Sequence, residues 1–387
     1  MEKIPGARKK WARSLNCAAY MNSTTYDCLK DNLIEQTSDP AEADIIFPCG
    51  YNNIENEIRS LPHLAKKGDN SKIVFIIEGA DEISAKDKLW RNILKHYGLT
   101  KTLMICPKTY ILIGEEREKD IQRLKSDHVE GKAYIVKKNL QRQEGLKIMT
   151  SLDDIIKNEG SYVLVQELLQ DQYLLNGRKI NLRVYIVVVC QNGYKNIYVF
   201  DNGFMYYTKK EFEAGDQSLD NNITTGYIDR EVYIHNPLTL MEFRNYLDLT
   251  EGEHYHPNSR PRKLNDVERK IRNEGMRISD VTFDRILDLI RNIFVSLENC
   301  TCRPKINQST DNPIQNDCTV EIFGADIALD SKLEPLVMEI NKGPDLNPKD
   351  DRDSKVKKSL MNAVFGLVGL TDLNNSDGLH LVLKTKI

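Results

Sequence analysis

The sequence predicts a mixed α/β protein, with some α+β character, built from two or three domains. Its 387 residues are enough for several domains and a sizeable core. Hydrophobic residues make up 40% of the chain and charged residues 29%, as in an ordinary globular protein. Apolar runs typical of buried strands alternate with amphipathic stretches typical of helices, which is the pattern of an α/β fold.

The first half of the chain contains short strands and two clear helices. Strands are predicted at four apolar runs: 43–50, 71–80, 133–138 and 161–169. The first two are expected to pair in parallel. Residues 84–98 open with a capping serine, show helical spacing of apolar residues, and are predicted to stop at Gly98. Ser151 likewise caps a short helix over 151–158.

Two strand pairs and two helices dominate the second half. The strands are predicted at 180–190 with 196–207, and at 319–330 with 333–341. The turn QNGY separates the first pair. Amphipathic helices are predicted at 281–299 and 355–370. Two polar regions, 209–222 and 251–278, are predicted to be loop or insertion.

The last strand pair carries three oxygen ligands: Asp326, Glu339 and Asn341. Residues two apart in a strand share a face, so Glu339 and Asn341 project together beside apolar neighbours. Carboxylate and amide oxygens suit a hard cation such as Mg²⁺, which is usually held together with substrate phosphates. Ordinary charges on a strand face are the alternative. The position of Glu339 inside an apolar run favours the metal.

Other residues suit a phosphorylated ligand, although neither a GxxxxGK[ST] loop nor a GxGxxG turn after a strand is present. Lys137 ends a strand, where its amine can reach phosphate. The turn 139–148 carries residues that could fold over phosphates: Arg142, Glu144 and Gly145. The backbone of the strand at 161–169 could pair with a base. Three further cations follow in strand settings: Arg178, Lys179 and Arg183.

The order of these motifs resembles the tubulin–tyrosine ligase-like family, which has the ATP-grasp fold. The motifs are CPKTYIL, YIVKK, YVLVQELLQDQYLLNGRKINLRVYIV, EIFGADIALD and LVMEINKGPDL, and the resemblance runs from about Lys86 to about Leu370. It implies a nucleotide held between two α/β subdomains, 86–169 and 170–387, with an additional N-terminal α/β domain at 1–85. It also implies an ATP- and Mg²⁺-dependent carboxylate–amine ligase, which forms an acyl phosphate that an amine then attacks.

The resemblance assigns roles to individual residues. The nucleotide-binding residues it implies are Lys137, Arg142, Glu144, Gly145, Gln166, Glu167, Leu168, Leu169, Lys179 and Asn181. The magnesium ligands it implies are Asp326, Glu339 and Asn341. Arg183 and Lys179 are implied to be catalytic, with Arg183 near the transferred phosphate and the acceptor carboxylate. Substrate contacts are placed at Arg183, Asp201, Thr224 and Thr225.

Several positions depart from the family pattern. Lys138 stands where a proline is usual, and Asn181 and Thr225 replace the usual aspartate and asparagine. Asp201 stands where an arginine often holds the substrate carboxylate, and an acid there would repel an acidic tail. These departures leave two alternatives open: an ATP-binding pseudoenzyme with impaired catalysis, and an ATP-grasp enzyme that acts on a small acidic molecule.

Composition limits the partners and the location. The net charge of −3 argues against a general nucleic-acid binder. No run approaches the roughly 20 apolar residues of a membrane span, and no apolar segment follows the basic N-terminus. A cytoplasmic location with reduced thiols is therefore expected. The expected partners are a free amino acid and a protein acceptor, such as tubulin or another acidic tail.

Overall fold

The computed structural model describes residues 9–14, 21–49, 72–138, 145–226, 228–302, 318–371 and 377–387. Within these ranges the chain is a mixed α/β protein with two β-sheets, as the sequence predicts. One sheet has eleven strands and the other has four. No helix in these ranges is long and apolar enough to cross a membrane. The cytoplasmic location stays a prediction.

The strands follow the chain in this order: β1 Lys10–Arg13, β2 Glu35–Gln36, β3 Ile45–Phe47, β4 Ile73–Val74, β5 Thr109–Ile111, β6 Tyr134–Lys137, β7 Leu146–Met149, β8 Leu164–Glu167, β9 Leu174–Leu175, β10 Arg178–Gln191, β11 Tyr194–Thr208, β12 Thr224–Thr225, β13 Cys318–Leu329, β14 Pro335–Lys342 and β15 Leu379–Lys386. The predicted strands are all present, but those in the first half are shorter than predicted.

The larger sheet joins both ends of the chain through β13. Its order is β12-β11-β10-β13-β4-β3-β1-β2, with β9, β14 and β15 pairing on β10, β13 and β11. β1 to β4 pair in parallel, and β4 pairs in parallel with the start of β13. β10 to β15 pair antiparallel. The first four strands therefore share a sheet with the last six. The domain boundaries after residues 85 and 169 stay predictions.

The hairpin of β10 and β11 forms because its turn chemistry and its apolar strands agree. Asn192 and Gly193 have φ angles of 53° and 75°, which is the positive-φ pair that a tight hairpin turn requires. Residues from Val184 to Val189 are all buried, since both faces of the sheet are covered. The predicted turn QNGY is confirmed.

The smaller sheet, β5-β8-β6-β7, is antiparallel throughout. It has its own apolar core, in which Tyr110, Tyr134 and Val165 pack with Leu124 and Ile155 from the covering helices. Ile111 on β5 and Leu164 on β8 belong instead to the core of the larger sheet, and a cavity lined by both sheets lies between them.

The helices of the described ranges are α1 Ser23–Asp31, α2 Ala80–Ser84, α3 Lys86–Thr102, α4 Arg117–Asp127, α5 Leu152–Lys157, α6 Leu219–Asn222, α7 Val232–His235, α8 Leu240–Asp248, α9 Asp266–Asn273, α10 Ile278–Ser296 and α11 Asp351–Leu367. The helices predicted at 151–158, 281–299 and 355–370 are confirmed as α5, α10 and α11. The Ser151 side chain accepts a hydrogen bond from the Asp154 N–H, as predicted for a cap.

Three predictions about local structure need correction. The prediction that Ser84 caps this helix is wrong, because Ala85 is the residue that precedes α3, and its side chain makes no capping hydrogen bond. Gly98 does interrupt this helix with a φ of 72°, but helical structure continues to Thr102. The polar region 251–278 is not only loop, because an Asn265 capping box starts α9 within it.

Two features were not expected at all. β15 pairs along β11, although no strand was predicted after residue 370. Cys190 on β10 and Cys302 are joined as a disulfide, so the prediction of reduced thiols is wrong for this pair. Among the described residues, the thiols of Cys28, Cys106 and Cys300 are not in disulfides.

Candidate active site

The two sheets enclose a cleft of about 760 Å³. Its walls come from β6 and β8 of the smaller sheet and from β10, β11, β13 and β14 of the larger one. The predicted site residues that line it are Lys137, Glu167, Leu168, Leu169, Asn181, Arg183, Thr224, Thr225, Asp326, Glu339 and Asn341. Residues far apart in the sequence therefore meet in one cavity.

One part of this cavity carries facing carboxylates, and we call it the carboxylate end (Asp326, Glu339 and Asn341). Asp326 on β13 is in register with Glu339 on β14, and the ladder is irregular just after Asp326. Asn341 Nδ2 donates to Glu339 Oε1 at 3.0 Å, as residues two apart on one strand face can do. Like charges directly opposite each other are destabilising, so this pair needs positive charge nearby.

Arg183 supplies the first positive charge. β10 flanks the other edge of β13, which places Arg183 in register with Asp326. Its Nε and Nη2 donate to the two carboxylate oxygens at 2.7 and 3.1 Å, and its guanidinium lies 5.1 Å from the centre of the Tyr206 ring. Burial nevertheless leaves the pKa of Asp326 above its ordinary value. The arginine predicted near the transferred phosphate thus pairs with a predicted metal ligand.

Lys137 supplies positive charge from the opposite sheet. Its side chain is only 6% exposed, and Nζ donates to Gln166 Oε1 at 2.9 Å. Burial lowers the pKa of Lys137, and the negative charge of Glu339 opposes that shift. Burial alone would raise the pKa of Glu339, but the charges of Lys137 and Lys86 outweigh it and hold that pKa below its ordinary value. The two sheets therefore interact electrostatically across the cleft.

The opposite part of the cavity is the hinge end, Gln166 to Leu169. The Glu167 N–H donates to the Lys108 carbonyl at 2.9 Å, and the Leu168 N–H donates to the Ala133 carbonyl at 3.0 Å. Gln166 faces away from the cavity, where its Nε2 donates to Thr109 Oγ1 at 3.0 Å. Its role here is to hold Lys137.

Lys179 lies behind the hinge end and does not line the cavity. Its side chain is fully buried, and Nζ donates to the Leu169 carbonyl and to Asn222 Oδ1, both at 2.9 Å. Burial lowers its pKa to about 8. Asn222 in turn donates through Nδ2 to the carbonyls of Asp216 and Ser218. Lys179 thus ties the hinge to the segment that carries Thr224 and Thr225.

Asn181 and the two threonines lie between these ends. Thr224 and Thr225 form β12, which pairs with the end of β11. Asn181 Oδ1 is buried and has no hydrogen-bond partner among the described residues. A buried acceptor without a donor is costly, which indicates a ligand-facing position.

Besides Gln166 and Lys179, two predicted site residues of the described ranges do not line the cavity, Asp201 and Gly145. Asp201 lies on β11 beside β15, where its N–H donates to the Gly378 carbonyl at 2.7 Å and His380 and Arg244 are nearby. Gly145 begins the return to β7, and its carbonyl accepts from the Lys138 N–H at 2.9 Å. Arg142 and Glu144 lie outside the described residues.

The cavity also contains residues that the sequence did not indicate. The cations among them are Lys86, Lys209, Arg230, Lys342, Lys349 and Lys357. Lys86 begins α3, Lys209 directly follows β11, Arg230 lies between β12 and α7, and the other three lie on the segment from the end of β14 into α11. No spacing rule links such scattered positions. Tyr206 could have been found, because it faces Asn181 in the β10–β11 register.

The residues present fit Mg²⁺ together with a phosphorylated nucleotide. Two carboxylates and an amide oxygen are hard donors of the kind that Mg²⁺ prefers. Throughout the described ranges, no three His, Cys, Asp or Glu side chains form a metal-binding group. A cation here would therefore need oxygens from its ligand, as Mg²⁺ does with nucleotide phosphates. Lys137 and Lys86 supply positive charge for such phosphates.

Comparison with known proteins agrees with this chemistry. A sequence model described as "Tubulin-tyrosine ligase family" matches residues 69–376. The tubulin monoglutamylase TTLL4 of Mus musculus is 24% identical over 77% of this chain. The tubulin polyglutamylases ttll-5 of Caenorhabditis elegans and TTLL7 of Homo sapiens are 26% and 25% identical over 74% and 80% of it. The chain covers 24%, 38% and 33% of the lengths of these three relatives.

Proposed function

The chain belongs to the tubulin-tyrosine ligase family, and on that premise we propose that it is an ATP- and Mg²⁺-dependent ligase with an ATP-grasp fold. It joins the amine of an amino acid to a carboxylate of a protein. The observation that carries this proposal is the single cavity in which Lys137, Arg183, Asp326, Glu339 and Asn341 meet between two sheets. Phosphoryl transfer needs positioning and charge neutralisation more than covalent chemistry from the enzyme.

The proposed reaction has two steps. An acceptor carboxylate oxygen attacks the terminal phosphorus of ATP, which forms an acyl phosphate and releases ADP. The amine nitrogen then attacks the acyl carbon, phosphate leaves, and the nitrogen loses a proton as the amide forms. Mg²⁺ at the carboxylate end would hold the phosphate oxygens and offset their charge.

The residues of the chain have distinct parts in this scheme. Lys137 binds phosphate from the smaller sheet, and the negative charge of Glu339 opposes the fall in the pKa of that lysine on burial. Arg183 exchanges its pairing with Asp326 for the transferred phosphoryl group or the acceptor carboxylate. The hinge end holds the base through backbone groups that the sheet has not already used. Lys179 positions the hinge and does not contact the reacting atoms.

Glutamate is the amino acid that we propose first. The relatives named above are glutamylases that act on tubulin, as their names state. The cations Lys209, Arg230 and Lys349 line the cavity near β12, where a second carboxylate would find positive charge. An acidic protein tail such as that of tubulin is the proposed acceptor.

A second candidate function is nucleotide binding without efficient ligation. Its specific support is Asn181, where the family pattern has an aspartate, together with the hydrogen-bonded pair of Arg183, a predicted catalytic residue, and Asp326, a predicted metal ligand. If this pairing persisted with nucleotide bound, Arg183 would be unavailable to the acceptor.

The experiment is ATP turnover by the purified chain with Mg²⁺, screened against the common amino acids with and without tubulin. ADP release that requires one amino acid and a protein acceptor supports the ligase. ADP release with a small acid alone supports an enzyme of small molecules. Tight ATP binding without turnover in any combination supports the pseudoenzyme.

A further inference from the structure

A second, smaller cavity of about 120 Å³ lies beside the cleft. It sits at the carboxyl ends of the parallel strands β1, β3 and β4, where Arg13, Phe47 and Phe75 end or follow each strand. In open parallel sheets this edge is the usual place for a ligand. The cavity has room for several non-hydrogen atoms, since about 10–15 Å³ on this scale already accommodates a water molecule. We call it the inner pocket.

Most of the inner pocket is aromatic or apolar. Phe47 and Phe75 stack with their ring centres 4.3 Å apart, and Met21, Met361 and Ile322 complete the apolar wall. Aromatic faces and polarisable thioethers attract a cationic head group and also accept an aliphatic stem. This lining is unsuited to a phosphate or another strongly hydrated anion.

Glu321 is the acidic group in this wall. It lies on β13, is 7% exposed, and accepts one hydrogen bond from the Ile77 N–H at 3.1 Å. Lys342 on β14, a cation that acts on Glu321 electrostatically, pairs with Asp81 on α2. Burial raises the pKa of Glu321 to about 8, and Lys342 only partly opposes the shift. Among the described residues no cation forms an ion pair with Glu321, and a buried carboxyl in a cavity that aromatic rings also line is well placed to receive an ammonium group.

Arg13 gives the inner pocket a second polar group of opposite charge. It ends β1, and its Nη2 donates to the Cys49 carbonyl at 3.2 Å. A guanidinium has five N–H donors, so it can accommodate a further acceptor. One cavity is thus lined by a carboxyl that suits an ammonium, a guanidinium that suits a carboxylate, and apolar side chains that suit an aliphatic group.

We propose that the inner pocket binds a free α-amino acid with a short apolar side chain, its ammonium on Glu321 and its carboxylate toward Arg13. The site is separate from the place of amide formation. Glu321 precedes Asp326 by five residues on β13, or about 16 Å at the usual rise of a strand. A bound amine is therefore not within reach of an acyl phosphate at the carboxylate end.

The inner pocket is nevertheless connected to the cleft. Gly343, Pro344 and Leu346 line both cavities. Pro344 and Arg183 both pack against Gly324, where an added Cβ would lie 3.1 Å from Pro344 and 3.0 Å from Arg183. A ligand in the inner pocket would thus contact the segment that follows β14 and, through Pro344 and Gly324, affect the position of Arg183. Regulation of catalysis by this route rests on the proposed function, whereas binding of the ligand does not.

The test is calorimetric titration of the full chain at pH 7.5 without nucleotide, using three matched probes. L-norleucine has both charged groups, n-pentylamine lacks the carboxylate, and hexanoate lacks the ammonium. We expect L-norleucine to bind most tightly, n-pentylamine more weakly and hexanoate not measurably. Binding should release a proton, because an ammonium ionises Glu321, and the heat should therefore depend on the buffer.

Variants locate the binding. Glu321→Gln keeps an acceptor for the Ile77 N–H and should weaken L-norleucine at least tenfold, as expected for loss of a charged hydrogen bond. Arg13→Met should reduce L-norleucine to the affinity of n-pentylamine. The matched control is Glu334→Gln on the exposed loop between β13 and β14, which should bind like the unchanged chain. Mg-ATP affinity, measured separately, should be the same in Glu321→Gln.

Three results would overturn the proposal. These are no binding of any probe at about 10 mM, unchanged affinity in Glu321→Gln, and hexanoate binding as tight as that of L-norleucine. If n-pentylamine equals L-norleucine, an amino acid is the wrong ligand and a plain amine is the right class. If Glu321→Gln does not fold, the three probes and the Arg13→Met variant still show whether the inner pocket binds an α-amino acid. Loss of Mg-ATP binding in the unchanged chain would count against the proposed function alone.

Discussion

The carboxylate end and the hinge end of the cleft handle buried charge in opposite ways. At the hinge end, Lys179 is fully enclosed and makes hydrogen bonds to Leu169 and Asn222. At the carboxylate end, Asp326 and Glu339 face each other in register, and the described cations that oppose their charge come from other elements: Arg183 on β10, Lys137 on β6 and Lys86 on α3. A buried charge such as that of Lys179, whose hydrogen bonds are all made within the protein, holds neighbouring segments in place. Facing carboxylates such as Asp326 and Glu339, whose partners can be exchanged, are suited to binding a ligand.

The largest effect is expected from Glu339→Gln. The amide keeps the shape of the side chain and removes its charge, so Mg-ATP turnover should fall by about 10²–10³-fold, the usual loss when one key electrostatic contact is removed. Stability should change by less than about 1 kcal/mol, because a repulsive carboxylate pair is relieved at the same time. Steady-state turnover and thermal unfolding measure the two effects. Glu334→Gln is the matched control, and full turnover in Glu339→Gln would remove this residue from the metal site.

Lys179→Met should act on stability and on the nucleotide together. The Leu169 carbonyl and Asn222 each lose a buried donor, which costs about 1–3 kcal/mol of unfolding free energy. A loosened hinge should raise the KM for ATP more than it lowers kcat. Denaturant unfolding and ATP kinetics give the two values.

Asn222→Ala sharpens that prediction. If Lys179 acts by tying the hinge to the segment before β12, removal of Asn222 should reproduce much of the rise in KM. A rise in Lys179→Met with no rise in Asn222→Ala would instead indicate direct contact between Lys179 and the nucleotide. Lys384→Met, on the exposed strand β15, is the control for loss of a lysine.

Glu321 should make stability depend on pH. Its pKa is raised from 4.5 to about 8 in the folded chain, so the folded state holds a proton that the unfolded state releases between these values. Its contribution to stability is therefore fully present below about pH 4.5 and is lost as the pH rises toward 8, with a slope of at most about 1.4 kcal/mol per pH unit. Glu321→Gln should flatten this part of the pH–stability curve. An unchanged slope would show that Glu321 titrates normally.

The smallest effect is expected from Asp201→Arg. Asp201 lies beside Gly378 and His380 and does not line the cleft, so the KM for an acidic acceptor should stay within about twofold. A marked gain in affinity for acidic tails would mean that the acceptor reaches β11 beside β15.

Much of the fold could be predicted because its signals are local. The turn at Asn192 and Gly193, the Ser151 cap and the apolar runs of β10 and β13 each encode their own structure. The proposed ligands Glu339 and Asn341 follow from strand alternation, and Asp326 follows from the next strand of the same pair.

The remainder depends on tertiary structure that no local pattern encodes. Lys137 interacts with Glu339 only because the two sheets face each other, and the Lys179 amine is bound by the Leu169 carbonyl and Asn222. Asp201 was predicted to contact the substrate because of its position in a motif. In the structure it lies beside β15, a strand that was not predicted, and it does not line the cleft. The parallel edge that forms the inner pocket is assembled from strands at both ends of the chain.

The most direct test of the carboxylate end is calorimetric titration of ATP into the purified chain, with Mg²⁺ and again with EDTA. The unchanged chain should bind ATP tightly only with Mg²⁺, and Glu339→Gln should lose most of that dependence. Equal ATP affinity with and without Mg²⁺, in both the unchanged chain and Glu339→Gln, would contradict a metal–nucleotide site at Asp326, Glu339 and Asn341.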